Sequence, residues 1–223
     1  KWDDYQDPRG SGHFSGRLTL PIVAAGVVAK KLLYSLTILD ETPAKEVNAR
    51  LVELGGSADE QTWQEAIDKA MEEGDSLGAV VECNVPEIDP GYGEPFWDSV
   101  ESTIAHAIFS IPGVRGLEFG DGFQAARMKG SEHNDPIGAD GRPLKNGAGG
   151  VNGGITNGAP LTFRVAFKPT SSIRKAQQTF NFQTGEMDTL EIKGRHDACF
   201  ALRTPVVVEA MTAIALADLA LMK

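Results

Sequence analysis

NGAGGVNGGITNGAPLTFRVAFKPTSSI, residues 146–173, sets the terms on which the rest of the chain is understood. Six of the thirteen residues from Asn146 to Gly158 are glycine, with pairs at Gly149-Gly150 and Gly153-Gly154. Glycine at that density weakens any regular element, so it needs a reason. The physical one is close approach, of backbone to a ligand or to another stretch of chain. A strand pattern follows at once, with Leu161, Phe163, Val165 and Phe167 alternating against Thr162, Arg164 and Lys168. The segment ends in Lys168-Pro169-Thr170-Ser171-Ser172, one cation followed by three hydroxyls. Two readings stay open here: a phosphorylated ligand held between the Gly-rich turn and the Lys-Thr-Ser-Ser end, or a tight sheet corner and a solvated turn. The nucleotide fingerprints GxxxxGK[ST] and GxGxxG are both absent.

Working outward, the flanking chain alternates between helical and strand patterns. Upstream, Thr19 and Pro21 open an apolar segment as cap and first-turn proline, and Gly26 within it predicts close helix packing. Ser35–Leu39 reads as a strand, Ala58–Glu73 as an amphipathic surface helix, Gly78–Val85 as a strand, and Trp97–Phe109 as a helix. A strand near Gly116–Phe119 precedes the polar GDGFQAARMKGSEHNDP. Downstream, Gln178–Phe182 and Leu190–Lys193 predict a hairpin turned at Thr184-Gly185. Thr204-Pro205 is a cap and a first-position proline for the last helix. No repeat or low-complexity linker divides residues 1–223, which predicts one α+β domain with mixed, largely antiparallel sheets packed with helices.

Composition narrows the function classes. The formal charge of −10 argues against a nucleic-acid surface, while an anionic small ligand depends on where individual Arg and Lys residues sit. Cys83 and Cys199 form no disulfide framework and no metal-ligand spacing, which predicts a reducing, cytoplasmic setting without a metal. The two most apolar stretches, Leu20–Ala29 and Val206–Met222, are too short or carry Glu209 and Asp218, so they read as buried helices and predict no membrane span. Lys1–Arg17 lacks the apolar segment of a secretory signal and reads like the middle of a loop, as though more chain preceded it.

Among the histidines, His106 lies within TIAHAIF and reads as a satisfied structural residue. His13, His133 and His196 sit in polar, Gly-containing segments, where an acid/base role and an orienting hydrogen bond are equally open. Cys199 reads as buried rather than nucleophilic. Arg17 and Arg195 each stand at a Gly-containing entry to an apolar helix, where helix-end N–H groups and a guanidinium fork suit an anion. A surface ion pair with one of the many acids is the alternative for each.

EFGDGFQAARMKGSEHND, NGAGGVNGGITNG, FKPTSSI and KGRHDAC follow one another in an order and spacing that resemble chorismate synthase, and the likeness runs from Arg9 to the end. The resemblance implies a β-α-β sandwich and a homotetramer. It implies conversion of 5-enolpyruvylshikimate 3-phosphate to chorismate by 1,4-anti elimination of phosphate. Reduced FMN is then required without net redox change, with NADPH as reductant in members that reduce their own flavin. By the same resemblance, FMN contacts fall on His13, Phe14 and Ser15, on Pro112 and Gly113, on Gly153, on Lys168, Pro169, Thr170, Ser171 and Ser172, and on Arg195. Arg17 and Arg195 match arginines that hold the substrate's phosphate and carboxylates. Asp197 matches the aspartate near flavin N5 that assists proton handling.

Three departures stand beside the likeness. HFSGR replaces the RSSAR of many members, and Ala198 replaces a usual proline. Members are also normally longer at the N-terminus, by a segment with GESHG-like and RPGHAD-like motifs and two proton-donating histidines. The chain alone is therefore expected not to make chorismate. A non-catalytic family core kept for assembly or ligand binding is the alternative, and a phosphate-ester hydrolase ranks third, because neither a metal constellation nor an activated nucleophile supports it.

Overall fold

A computed structural model describes residues 5, 12–39, 46–86, 88–194 and 196–223. Its central element is an antiparallel sheet in the order β1-β2-β6-β3, formed by Asn48–Leu54, Ala79–Val85, Leu161–Phe167 and Val114–Phe119. The alternation of the two inner strands decides which face is covered. Ala79, Val81, Cys83 and Val85 pair in register with Phe167, Val165, Phe163 and Leu161, and all eight are buried on one face. Against that face pack α3 (Val100–Phe109) and α5 (Pro205–Met222). On the other face the register sets Arg50, Glu82, Arg164 and Glu118 side by side across all four strands. Arg50 pairs with Glu82 at 3.2 Å and Arg164 with Glu118 at 2.7 Å. Such surface pairs contribute at most about 1 kcal/mol each, so burial on the opposite face carries the sheet.

Helix α5 lies between the sheet and α1 (Thr19–Leu39), which explains why it is apolar nearly all round. The two helices touch where Gly26 meets Ala210. Lys30 completes the seam with a 2.6 Å pair to Glu209, whose other oxygen accepts from Ala49 N–H at 3.0 Å. Only one side of α1 is used in this way. Gly26, Ala29 and Leu33 are buried, whereas Leu20 is 79% exposed, and Val27, Val28 and Tyr34 also face outward. The expectation of a buried helix therefore holds for α5 and fails for the outer face of α1. By length and composition alone, Gly16–Leu36 and α5 are each apolar enough to cross a membrane, although α5 is mostly buried inside the protein.

The helix also absorbs the strand expected at Ser35–Leu39, because a five-residue apolar run fits either period and the preceding helix simply continues. The strand β1 that pairs with β2 comes later, at Asn48–Leu54. Helix α2 occupies Trp63–Glu73 and ends at Gly74 in the left-handed conformation. The hairpin exists, but its second strand is Glu186–Leu190 rather than Leu190–Lys193, paired from Asn181↔Glu186 back to Gln177↔Leu190. Its apolar residues Phe180, Phe182, Met187 and Leu190 are exposed, so no core face pinned the register in the sequence. His106 is exposed on α3, not enclosed as expected. Cys83 is buried against Thr212, and burial pushes its thiol up to about 12. Cys199 is buried and shifted in the same direction, so neither sulfur is an activated nucleophile.

The Gly-rich stretch forms a corner. At Gly150 (φ +87°) a Cβ would stand 2.5 Å from the Pro160 carbonyl oxygen, so only glycine lets the chain fold back onto the start of β6. Asp135 accepts from Gly147 N–H at 2.8 Å and Ala148 N–H at 2.9 Å. Beside it Asp121 accepts from Lys145 Nζ at 3.2 Å and lies 3.2 Å from His133 Nδ1. Gly153 (φ +61°) differs, since a Cβ there would meet nothing within 4 Å.

Two outcomes test this packing. Gly26→Ala improves helix propensity by about 1 kcal/mol, but its Cβ would stand 2.4 Å from Ala210 Cβ and 2.6 Å from Ala210 Cα. The clash outweighs the propensity, and the urea midpoint should fall by the equivalent of about 1–3 kcal/mol; a stabilised variant would mean that α1 is not seated on α5. Asp121 is held below its ordinary 3.8 by hydrogen bonds from Lys145 and His133. A depressed carboxyl stabilises the fold above its unfolded value and loses that contribution as pH falls through the folded one. Asp121→Asn should therefore melt below the wild type at neutral pH, with the gap closing below 3.8. A gap that persists in acid would trace the effect to something other than the carboxylate.

Candidate functional site

Three segments meet where β6 ends. Lys168 N–H donates to the Gly113 carbonyl at 2.9 Å, joining the loop after α3 to the strand end. Gly113 (φ +94°) can sit there only as glycine, because a Cβ would stand 2.3 Å from Phe200 Cζ. Phe200 in turn packs edge-on against Phe167, with ring centroids 6.1 Å apart. Leu77 N–H donates to the Ala198 carbonyl at 2.7 Å, fixing the segment that carries His196 and Asp197 against the start of β2. Ser76 Oγ donates to the Thr170 carbonyl at 2.7 Å and ties down the middle of the Lys-Pro-Thr-Ser-Ser run. Pro112, Gly113, Lys168 to Ser172 and Asp197, scattered in sequence, thus share one end of the sheet.

The chemistry of this end is suited to an anion. Lys168 Nζ donates to Ser171 Oγ and has no carboxylate partner among the described residues. Arg174 donates to the Met71 carbonyl at 2.8 Å, and Lys175 pairs with Asp75 at 3.1 Å. The Ser76 N–H and Lys175 hold Asp75 below the usual carboxylate range. Thr170 Oγ1 and His196 Nε2 are buried atoms without a hydrogen-bond partner among the described residues. Unsatisfied buried polar atoms are rare in a folded protein, so each of these two is a point at which a further partner can be accommodated. An open pocket at His196 is also lined by Gly74, Asp75, Ile173 and Arg174. Asp197 is half-exposed at the same end and forms an ion pair with Arg203, a residue that the sequence alone did not single out.

The other expected site residues fall elsewhere. Arg195 lies outside the described residues, as does the side chain of His13. Phe14, Ser15 and Arg17 occupy the turns that open α1, where Ser15 Oγ accepts from Arg17 N–H at 3.2 Å and Phe14 is exposed. Gly153 is adjacent to Gly154, whose carbonyl accepts from Val100 N–H at the start of α3, whereas Gly113 follows the end of that helix. The ten residues of α3 separate the two by about 15 Å at the helical rise. Gly153 is therefore not gathered with the Lys168 cluster. Arg203 and Ser76 escaped notice because their partners lie six and ninety-four residues away, beyond the reach of any local pattern.

Comparison with known proteins bears on the family and the fold. The sequence pattern of the family described as Chorismate synthase matches residues 1–221. The chain is 56% identical over 224 residues to the chorismate synthase of Chitinophaga pinensis, covering 100% of this chain and 64% of that protein. It is 45% identical over 245 residues to that of Korarchaeum cryptofilum, covering 98% and 66%. A solved structure described as a crystal structure of chorismate synthase superposes with a TM-score of 0.73 at 29% identity, over 93% of this chain and 64% of that one. The chain thus spans 64% to 66% of the length of these relatives. It belongs to the chorismate synthase family.

Proposed function

We propose that the protein works as a chorismate synthase, a carbon–oxygen lyase that eliminates phosphate from 5-enolpyruvylshikimate 3-phosphate in a 1,4-anti sense, with reduced FMN as cofactor. The observation that carries this reading is that hydrogen bonds tie Gly113, Lys168–Ser172 and the segment of Asp197 to one end of the sheet, where Thr170 Oγ1 and His196 Nε2 are buried without a partner among the described residues. The residues present fit a flavin: among the described residues Lys168 has no carboxylate partner and Thr170 Oγ1 has no hydrogen-bond partner. When bound, reduced FMN supplies electron density that helps the C–O bond to phosphate break.

The chain's own groups bind and orient. Lys168 and the hydroxyls of Thr170, Ser171 and Ser172 hold the cofactor, with Pro112 and Gly113 at the same end of the sheet, and the family likeness assigns Arg195 a contact as well. The family likeness also assigns flavin contacts to His13, Phe14 and Ser15, which the structure does not gather with Lys168. Arg17 and Arg195 hold the substrate's phosphate and carboxylates through bidentate forks. Asp197, half-exposed at the site, moves a proton at its carboxylate as the ring loses one. Gly153 serves the flavin site of a neighbouring copy, since it stands at the far end of α3 from Lys168. This fits a homotetramer, and the outward apolar residues of α1 favour an assembled state. Buried, reduced cysteines suit a cytoplasmic setting.

Flavin titration tests the assignment. Lys168→Ala should weaken FMN binding by about 1–3 kcal/mol, the range for a lost charge-assisted hydrogen bond. Equal affinity for wild type and variant would remove Lys168 from the site, and no flavin affinity in either would favour the alternative of a family core kept for assembly. Sedimentation at micromolar concentration should show an oligomer; a clean monomer would sink the composite placement of Gly153.

A further inference from the structure

We propose that Arg203 is a positioning residue for Asp197, holding one carboxylate oxygen so that the other faces the reacting groups. The inference rests on the reading of Asp197 given above and adds a residue with no role assigned so far. Arg203 Nη2 donates to Asp197 Oδ2, while no hydrogen bond to Oδ1 is made among the described residues. Both partners are held by rigid neighbours. Arg203 ends the turn Phe200–Arg203, in which Ala201 is fully buried, and Thr204 donates to the Ala201 carbonyl through both its N–H and its hydroxyl. Phe200 fixes the same turn against Gly113 and Phe167, so the guanidinium is tethered to the loop that meets Lys168. On the other side, Ala198 is buried and its carbonyl is taken by Leu77 N–H, which sets the backbone beside Asp197.

A stability role explains the pair poorly. The two side chains are 69% and 54% exposed, and exposed ion pairs add little to a fold. Orientation is different, because a proton-transferring carboxylate must present a chosen oxygen in a chosen direction. A planar guanidinium on a fixed turn supplies that at no cost in affinity for substrate.

Kinetics, affinity and structure of Arg203→Ala, Arg203→Lys and Asp197→Asn in the complete protein decide the matter. We expect Arg203→Ala to lower kcat by about tenfold or more, with KM, FMN affinity and Tm nearly unchanged. Arg203→Lys should recover much of the loss, and Arg203→Ala added to Asp197→Asn should cause little further loss. The crystal structure of Arg203→Ala should show the Asp197 carboxylate turned away from its present direction. Wild-type kcat in Arg203→Ala, with Asp197→Asn impaired, would overturn the positioning role and leave the function intact. A large rise in KM with kcat preserved would overturn it in favour of substrate binding. Full activity in Asp197→Asn would overturn both the role of Asp197 and that of its partner.

Discussion

Helix α5 is enclosed by protein on nearly every side, and it can be so only because Gly26 allows α1 to lie directly on Ala210. The sheet covers one side of the helix and α1 the other, so α5 is the element through which the two layers communicate. Its sequence reflects this position: Val207, Val208, Met211, Leu216 and Leu219 are all buried, and the single internal acid facing the seam, Glu209, is met by Lys30 and by Ala49 N–H. A partly buried carboxylate would be costly without those partners. The same helix begins at Thr204-Pro205, directly after the turn that carries Arg203, so packing in the middle of the protein fixes the site end as well.

That linkage runs through aromatic contact. Phe167 ends β6, Phe200 opens the turn before α5, and Gly113 follows α3; each meets at least one of the others. Lys168 is one residue beyond Phe167, and Asp197 is three before Phe200. A core of two rings and a missing Cβ therefore sets the relative positions of a cation and a carboxylate that face solvent. Rigid hydrophobic support beneath exposed polar groups is the arrangement a binding site needs, because the polar groups cannot hold one another in place in water.

How much of this was legible in the sequence depends on the range of the interaction. Period-two alternation in Leu161–Phe167 and the helix start at Pro205 are local, and both stand as expected, although the Thr204 hydroxyl donates back to the Ala201 carbonyl instead of capping the helix. Gly26 was legible too, because glycine inside a strongly apolar helix has few causes other than close packing. The run Ser35–Leu39 was not, since five residues cannot separate a helix from a strand. The hairpin strand was displaced because no buried face marked its register. His106 was misjudged because the apolar letters around it lie on other faces of the same helix. At the candidate site, the motif order assembled Pro112, Gly113, Lys168 and Asp197 into one group, but nothing local revealed that Gly153 stands at the other end of α3. Arg203 depends on the path of a loop, which no spacing rule supplies.

Net charge would have misdirected any search for an anion site. The chain carries −10 overall, yet Lys168, Arg174, Lys175 and Arg203 gather near β6's end, against Asp75 and Asp197. Both of those acids already have a cationic partner, which leaves Lys168 with only a hydroxyl. Much of the remaining acidity is paired elsewhere, as with Glu209 at the α1 seam and Asp121 and Asp135 beside Lys145. At physiological salt the field of exposed charges fades over about 8 Å, so acids beyond that distance hardly weaken the local attraction. At the site proposed for an anion the first few ångströms therefore govern selection. There, among the described residues, stand a cation without a carboxylate and a buried hydroxyl without a partner. The distant acids act on solubility instead, so a chain acidic as a whole can still be cationic at the site proposed for an anion.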